Sequence, residues 1–166
     1  SKKKALNFAK QNILDNFSEN KENNIYNISI NNMKSLIKSG HTIGCHTKTH
    51  LNLGLLNNKK KLKDEILESA NRLKKLLRID IKHFAFTYGN FSSMSENSLK
   101  LAFLRYDFVY SCMRGNNFYN NKKSIIKRDT IYLEKGNNLI DIFLSGFIDL
   151  KYFNQVREIN KIIHKF

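Results

Sequence analysis

There is no proline anywhere in this 166-residue chain. No turn can use the pyrrolidine ring to fix φ, so every loop is shaped by other means. Cysteine is scarce too. Cys45 and Cys112 are too few for a disulfide framework or a cysteine-rich zinc site, and both read as buried free thiols among apolar neighbours. No apolar run approaches the ~18 residues of a membrane span. Asp and Glu number 14 against 29 Lys and Arg, a formal net charge of +15. No Asp-Asp pair occurs. Aromatic and basic residues do not interleave in the manner of an RNA-recognition module.

The positive charge by itself admits nucleic acid, an anionic membrane surface or an acidic glycan as partner. It is spread over the whole chain, and Asn-Asn pairs recur at 23–24, 31–32, 57–58, 116–117, 120–121 and 137–138. An AT-rich coding composition produces such a pattern, so no nucleic-acid partner is assigned from it. The length suits one domain, taken as residues 1–166, and 41% hydrophobic content supports a packed core. Ser1-Lys2-Lys3-Lys4 is basic, but no apolar signal-type stretch follows it. The chain does not open with Met and is expected to be a fragment or a processed product. Its compartment stays open between cytoplasm and cell envelope.

Apolar residues at helical spacing predict an amphipathic helix over 5–17 and a polar loop over 18–24. Ser29 suits the cap of a second helix to Ser39, with Ile30, Met33, Leu36 and Ile37 inward and Gly40 as its stop. The clearest helix spans 58–77. Leu62, Ile66, Leu67, Ala70, Leu73, Leu76 and Leu77 form its apolar stripe, and Lys and Glu occupy the other face. Strands are expected at 41–45, 83–86 and 107–111. A short helix over 95–104, capped by Ser95, turns Leu99, Ala102 and Phe103 inward. A terminal helix is expected over 147–166, carrying Phe147, Leu150, Phe153, Val156, Ile159 and Ile163.

The chemistry gathers in Gly40-His41-Thr42-Ile43-Gly44-Cys45-His46-Thr47-Lys48-Thr49-His50. His46 and His50 are four apart, so a helical turn would put both imidazoles on one face, within reach of one metal. Ile43 and Cys45 on alternate positions read as a short buried strand ending in the pair. Two histidines at this spacing also fit a structural or solvent-facing role, the commoner case. Thr47 excludes the H-E-x-x-H metalloprotease motif, which needs Glu there as general base.

This stretch resembles the second motif of the polysaccharide deacetylases, the NodB-homology carbohydrate esterases: G-H-x-I-G-x-H-(S/T)-x-x-H and a leucine-containing turn, here Leu51-Asn52-Leu53. The resemblance implies that His46 and His50 bind a divalent metal, usually zinc. Phe84-Ala85-Phe86-Thr87-Tyr88-Gly89 resembles the third motif, F-A-(Y/F)-P-Y-G, with Thr87 in place of proline. It implies a catalytic role for Tyr88, whose backbone N–H would help hold an oxyanion. Read without the resemblance, Tyr88 is equally a tyrosine at the edge of the core, and His83 a structural histidine. Residues 107–111 resemble a further family strand, Lys127-Arg128-Asp129 a family L-P-R segment, and 139–146 the family's F-x-L-S-G ending. Asp107 and Arg128 read either as strand-end charges or as groups that orient the site.

Two family motifs are not found in the sequence. The T-F-D-D motif, which carries the general base and the third metal ligand, has no counterpart, and neither has L-x-H, the source of a general acid. The resemblance therefore implies an α/β fold, a partial, distorted (β/α) barrel whose first strands are missing. The expected function is a metal-dependent hydrolase removing acetyl groups from N- or O-acetylated sugars, with this chain alone inactive. The alternatives are a non-catalytic glycan-binding pseudoenzyme and, behind it, a basic nucleic-acid-binding protein. An acetylated carbohydrate is the expected partner, and zinc the expected cofactor.

Overall fold

The computed structural model describes residues 28–117, 124–128, 142 and 145–165. The helix expected over 5–17, the loop over 18–24, Asp129 and most of the 139–146 segment lie outside the described residues. At the centre are two parallel strands, β1 (His83–Ala85) and β2 (Phe108–Tyr110), in register as His83–Phe108, Phe84–Val109 and Ala85–Tyr110. Cys45 flanks β1 through a parallel bridge to Phe84, and Ile126 flanks β2 through a parallel bridge to Tyr110. The strand expected over 41–45 thus pairs through Cys45 alone. Its partner β1 is three residues long and presents little ladder to pair with.

Parallel neighbours need crossovers, and helices supply them. Between Cys45 and β1 run α2 (Lys59–Lys63), a π turn (Asp64–Glu68) and α3 (Ser69–Leu77). The Asn58 side chain caps α2 by accepting from the Lys61 N–H at 3.0 Å. The expected 58–77 helix is therefore present, with a wider turn inside it. Leu62, Ile66, Ala70 and Leu77 are buried, and Leu67 and Leu73 pack at the edge of the core. Two positions depart from the stripe: Leu76 is exposed, and Glu65 is buried. Glu65 and Ser69, three and seven residues after Leu62, share the helix face of Ile66 and Ala70 and are buried beside them.

Between β1 and β2 runs α4 (Glu96–Arg105). Ser95 and Ser98 cap it reciprocally, each hydroxyl accepting from the other's N–H at 3.3 and 2.9 Å. Leu99, Ala102 and Phe103 point into the core as their spacing requires. Ahead of all these lies α1 (Ile30–Lys38), capped by Ser29, whose Oγ accepts from the Asn32 N–H at 3.1 Å. Gly40 ends it at φ +86°, with Gly40 N–H on Ile37 O at 3.0 Å and His41 N–H on Leu36 O at 2.9 Å. This is the paired Schellman closure, in which the left-handed φ favours glycine. α1 buries less than its pattern implies. Met33 and Ile37 touch the core, whereas Ile30 and Leu36 are exposed, because the helix lies chiefly against α3.

The terminal segment is not one helix. A 3₁₀ stretch, Phe147–Tyr152, precedes α5 (Phe153–Ile163). Ile159 and Ile163 are buried, but Phe147, Leu150 and Phe153 are exposed. Three-residue spacing on a 3₁₀ turn stacks them along one edge, out of phase with the buried face of α5. The thiols differ as well. Cys45 is buried, whereas Cys112 is exposed, since it follows β2 into a turn at the rim of the sheet.

A short parallel sheet crossed by helices, unclosed among the described residues, is the partial, distorted α/β barrel that the resemblance implies. No helix among the described residues is long and apolar enough to cross a membrane.

Candidate metal centre

The ladder between Cys45 and β1 delivers His46 to the end of the sheet. Cys45 N–H donates to His83 O at 2.8 Å, and Ala85 N–H donates to Cys45 O at 2.9 Å. His46 Nδ1 lies 2.8 Å from Ala85 O. A carbonyl only accepts, so Nδ1 carries the proton, and in the neutral ring Nε2 has its lone pair for a metal. Engagement of the second ring nitrogen is the usual support of a ligating histidine.

His50 reaches His46 by a different route from the helical turn that the spacing suggests. Thr47 and His50 both take left-handed backbone, at φ 64° and 57°. Thr47 Oγ1 accepts from the His50 N–H at 3.1 Å and closes the loop. The two rings end edge to face with centroids 5.1 Å apart, both exposed. Left-handed conformations at non-glycine residues are unfavourable unless the surroundings enforce them.

Glu65 is part of that enforcement. Its Oε2 accepts from the N–H groups of Lys48 and Thr49, each at 2.9 Å, and its Oε1 accepts from Thr49 Oγ1 at 2.6 Å. Burial by itself would raise the carboxyl pKa. The hydrogen bonds from Thr49 and from the Lys48 N–H outweigh that and hold it below the ordinary carboxylate value.

The 87–89 turn forms the opposite wall. Thr87 is buried and donates its hydroxyl to Leu51 O, a tie between the two loops where the family pattern has a proline ring. Tyr88 and Gly89 are left-handed at φ 60° and 62°. A Cβ at Gly89 would sit 2.5 Å from Cys112 N, so glycine is required for the close approach. Tyr88 is 58% exposed, and its ring meets the His50 ring edge on, centroids 5.3 Å apart. His46, His50 and Tyr88 thus share one rim.

The family model for polysaccharide deacetylases matches residues 9–106. The chain belongs to the polysaccharide deacetylase family. A polysaccharide deacetylase from Bacillus cereus superposes with a TM-score of 0.52 at 19% identity, over 63% of this chain and 32% of that one. A Bacillus anthracis protein assigned to the same class gives 0.55 at 19% identity, over 71% of this chain and 36% of its own. At that identity the likeness is one of fold, and the matched region is a minor part of each relative. No curated protein sequence matches.

In this deacetylase-family chain the donor set fits a divalent metal as far as two imidazoles go. Among the described residues no group of three His, Cys, Asp or Glu is placed to hold a metal. Catalytic zinc takes three protein ligands, so the described residues fall one short. Asp107 does not fill the gap. It precedes β2, at the opposite end of the sheet from His46, and pairs with Lys82 Nζ at 3.6 Å. Asp129 lies outside the described residues. His83 is structural, stacked on Phe108 with centroids 4.5 Å apart and hydrogen-bonded through Nδ1 to the Tyr110 hydroxyl at 2.9 Å. Arg128 donates from Nε to Ser111 O at 3.1 Å, which ties the segment after β2 to the sheet. Together with His46, His83 and Tyr110 it borders an open cleft of about 350 Å³, whose lining includes His46 but neither His50 nor Tyr88. Sequence reasoning missed Glu65. The available signal was the place of Glu65, three residues after Leu62 and so on the face of the apolar stripe, unlike its neighbour Asp64.

Proposed function

We propose that the chain takes part in carbohydrate deacetylation as a holder of metal and acetylated sugar, and that by itself it does not turn substrate over. His46 and His50 are the metal ligands in this reading, zinc the metal, and Tyr88 the residue beside the acetyl group. The observation that carries it is the pair of rings at 5.1 Å, with His46 Nδ1 already engaged by Ala85 O. Bound there, a divalent metal would polarise an acetyl carbonyl as a Lewis acid. The protein's own part is to hold Nε2 of His46 outward, to keep His50 against it, and to present the left-handed Tyr88 turn, whose backbone N–H would face a developing oxyanion.

The reading gives the described residues no general base, a group worth roughly 10²–10⁴-fold in rate. The alternative of a glycan-binding, non-catalytic chain therefore describes this chain in isolation. The test loads the purified chain with zinc and follows two signals: calorimetric binding of an acetylated chitooligosaccharide, and acetate release. Zinc-dependent sugar binding without acetate is the expected result. Acetate release that disappears in His46→Ala would overturn the inactive part of the reading. Unchanged zinc binding in His46→Ala/His50→Ala would overturn the ligand assignment.

A further inference from the structure

We infer that Glu65 is a positioning residue for the histidine pair, a buried carboxylate clamp that sets the 46–50 loop before any metal arrives. The inference rests on the reading of His46 and His50 as metal ligands. The geometry is specific. Glu65 is 1% exposed, and its carboxylate hydrogen bonds converge on two of the three residues between the histidines: Lys48 N–H and Thr49 N–H on one oxygen, Thr49 Oγ1 on the other. Two successive amides aimed at one carboxylate oxygen fix the peptide plane between Lys48 and Thr49. That plane lies between the left-handed Thr47 and the left-handed His50. Apart from the Thr47 Oγ1 contact to the His50 N–H, nothing in the local sequence favours two left-handed residues so close together.

The clamp is built into the fold from its other side too. Glu65 lies in the π turn Asp64–Glu68, three residues after buried Leu62 and on the same face. Ser69 Oγ donates to Glu65 O at 2.6 Å and receives the Cys45 thiol at 3.1 Å. Cys45 immediately precedes His46. The carboxylate of Glu65 thus holds the far side of the loop, while its backbone is tied through Ser69 to the strand that delivers the first ligand. Asp64 adds a second, outer contact, Lys48 Nζ to Oδ2 at 2.7 Å, on the exposed side of the same loop.

The test compares zinc affinity by calorimetry, using zinc alone as the probe, in the full chain and in Glu65→Gln, Glu65→Ala and Thr49→Val. Gln keeps an oxygen for both amides and should retain affinity within about threefold. Ala removes the acceptor and should lose roughly 10–100-fold, the range for groups that support metal ligands. Thr49→Val keeps the side-chain shape, loses one donor and should fall between. The second readout needs no metal: the proton–proton contact between the His46 and His50 rings, with the amide shifts of Lys48 and Thr49, by NMR of the metal-free protein. These signals should persist in Gln and vanish in Ala. A folded Glu65→Ala with wild-type zinc affinity and an intact ring contact overturns the inference. If wild type takes up no zinc, the two-histidine reading falls. The clamp is then decided by the ring contact alone: lost in Ala supports it, retained in Ala overturns it. Should Glu65→Ala not fold, Thr49→Val with unchanged affinity and unchanged amide shifts overturns it.

Discussion

Tyr106 donates its hydroxyl to Ile66 O at 2.5 Å, across the joint between the end of α4 and the π turn. A π turn breaks the ordinary pairing of helix carbonyls, and those of Glu65 and Ile66 accept from side chains. Ser69 Oγ bonds Glu65 O at 2.6 Å and Ile66 O at 3.2 Å, and Tyr106 completes the set. No buried side-chain polar atom among the described residues lacks a partner. The helix segment that carries Glu65 is therefore held by Ser69 from within the helix and by Tyr106 from the end of α4. Burial pushes the Tyr106 phenol far above its ordinary pKa, so the hydroxyl stays a donor across the working pH range.

Tyr106→Phe should cost about 1–3 kcal/mol, the range for leaving a buried carbonyl short of a partner. Urea unfolding of the two proteins measures it. A change within ~0.5 kcal/mol would mean that Ser69 alone satisfies Ile66 O.

Ile66→Ala should cost ~2–5 kcal/mol, since Ile66 is fully buried. Leu73→Ala should cost less, because Leu73 is only partly buried. Leu76→Ala should stay within ~0.5 kcal/mol, because the π turn leaves Leu76 in solvent. Equal costs at 66 and 76 would show the helix running in the phase of an unbroken α pattern.

Glu65 makes stability depend on pH, with a definite sign. Its folded pKa lies below the ordinary value of 4.5, so the unfolded chain binds more protons in that window. Its contribution is fully present above about pH 5–6 and is lost as pH falls through the folded pKa. The urea midpoint of wild type should therefore drop between about pH 6 and pH 3 more than that of Glu65→Gln. Parallel curves for the two would remove Glu65 from the acid response.

Zinc should stabilise the chain by mass action. At a hundred times its dissociation constant, free zinc adds about 2.7 kcal/mol, which a chelator reverses. His46→Ala/His50→Ala should show no such gain. Thermal unfolding with and without zinc checks both, and an equal gain in the variant would place the metal elsewhere.

Local pattern was enough for the element ends. Ser29, Asn58 and Ser95 cap the helices they precede, and Gly40 closes α1, because capping is an interaction between residues about three apart and so is written in the order of the chain. The histidine pair was legible for the same reason, as residue types at a spacing. Its geometry was not. The i, i+4 spacing implied a helical face, whereas the rings meet through left-handed Thr47 and His50. That conformation is held by Glu65, 17 and 16 residues away along the chain, and by Ala85 O, 39 residues from His46. Exposure at Cys112, Leu36 and Phe147 also escaped the pattern, since an apolar stripe states what could be covered and only the packed neighbours decide what is. The sequence by itself determined where α1, α2 and α4 begin, their caps and the identity of the imidazole pair, all features written within one turn of chain. Whether those imidazoles converge was decided only by the tertiary structure, through a buried carboxylate and a parallel ladder that join residues with no local reason to meet.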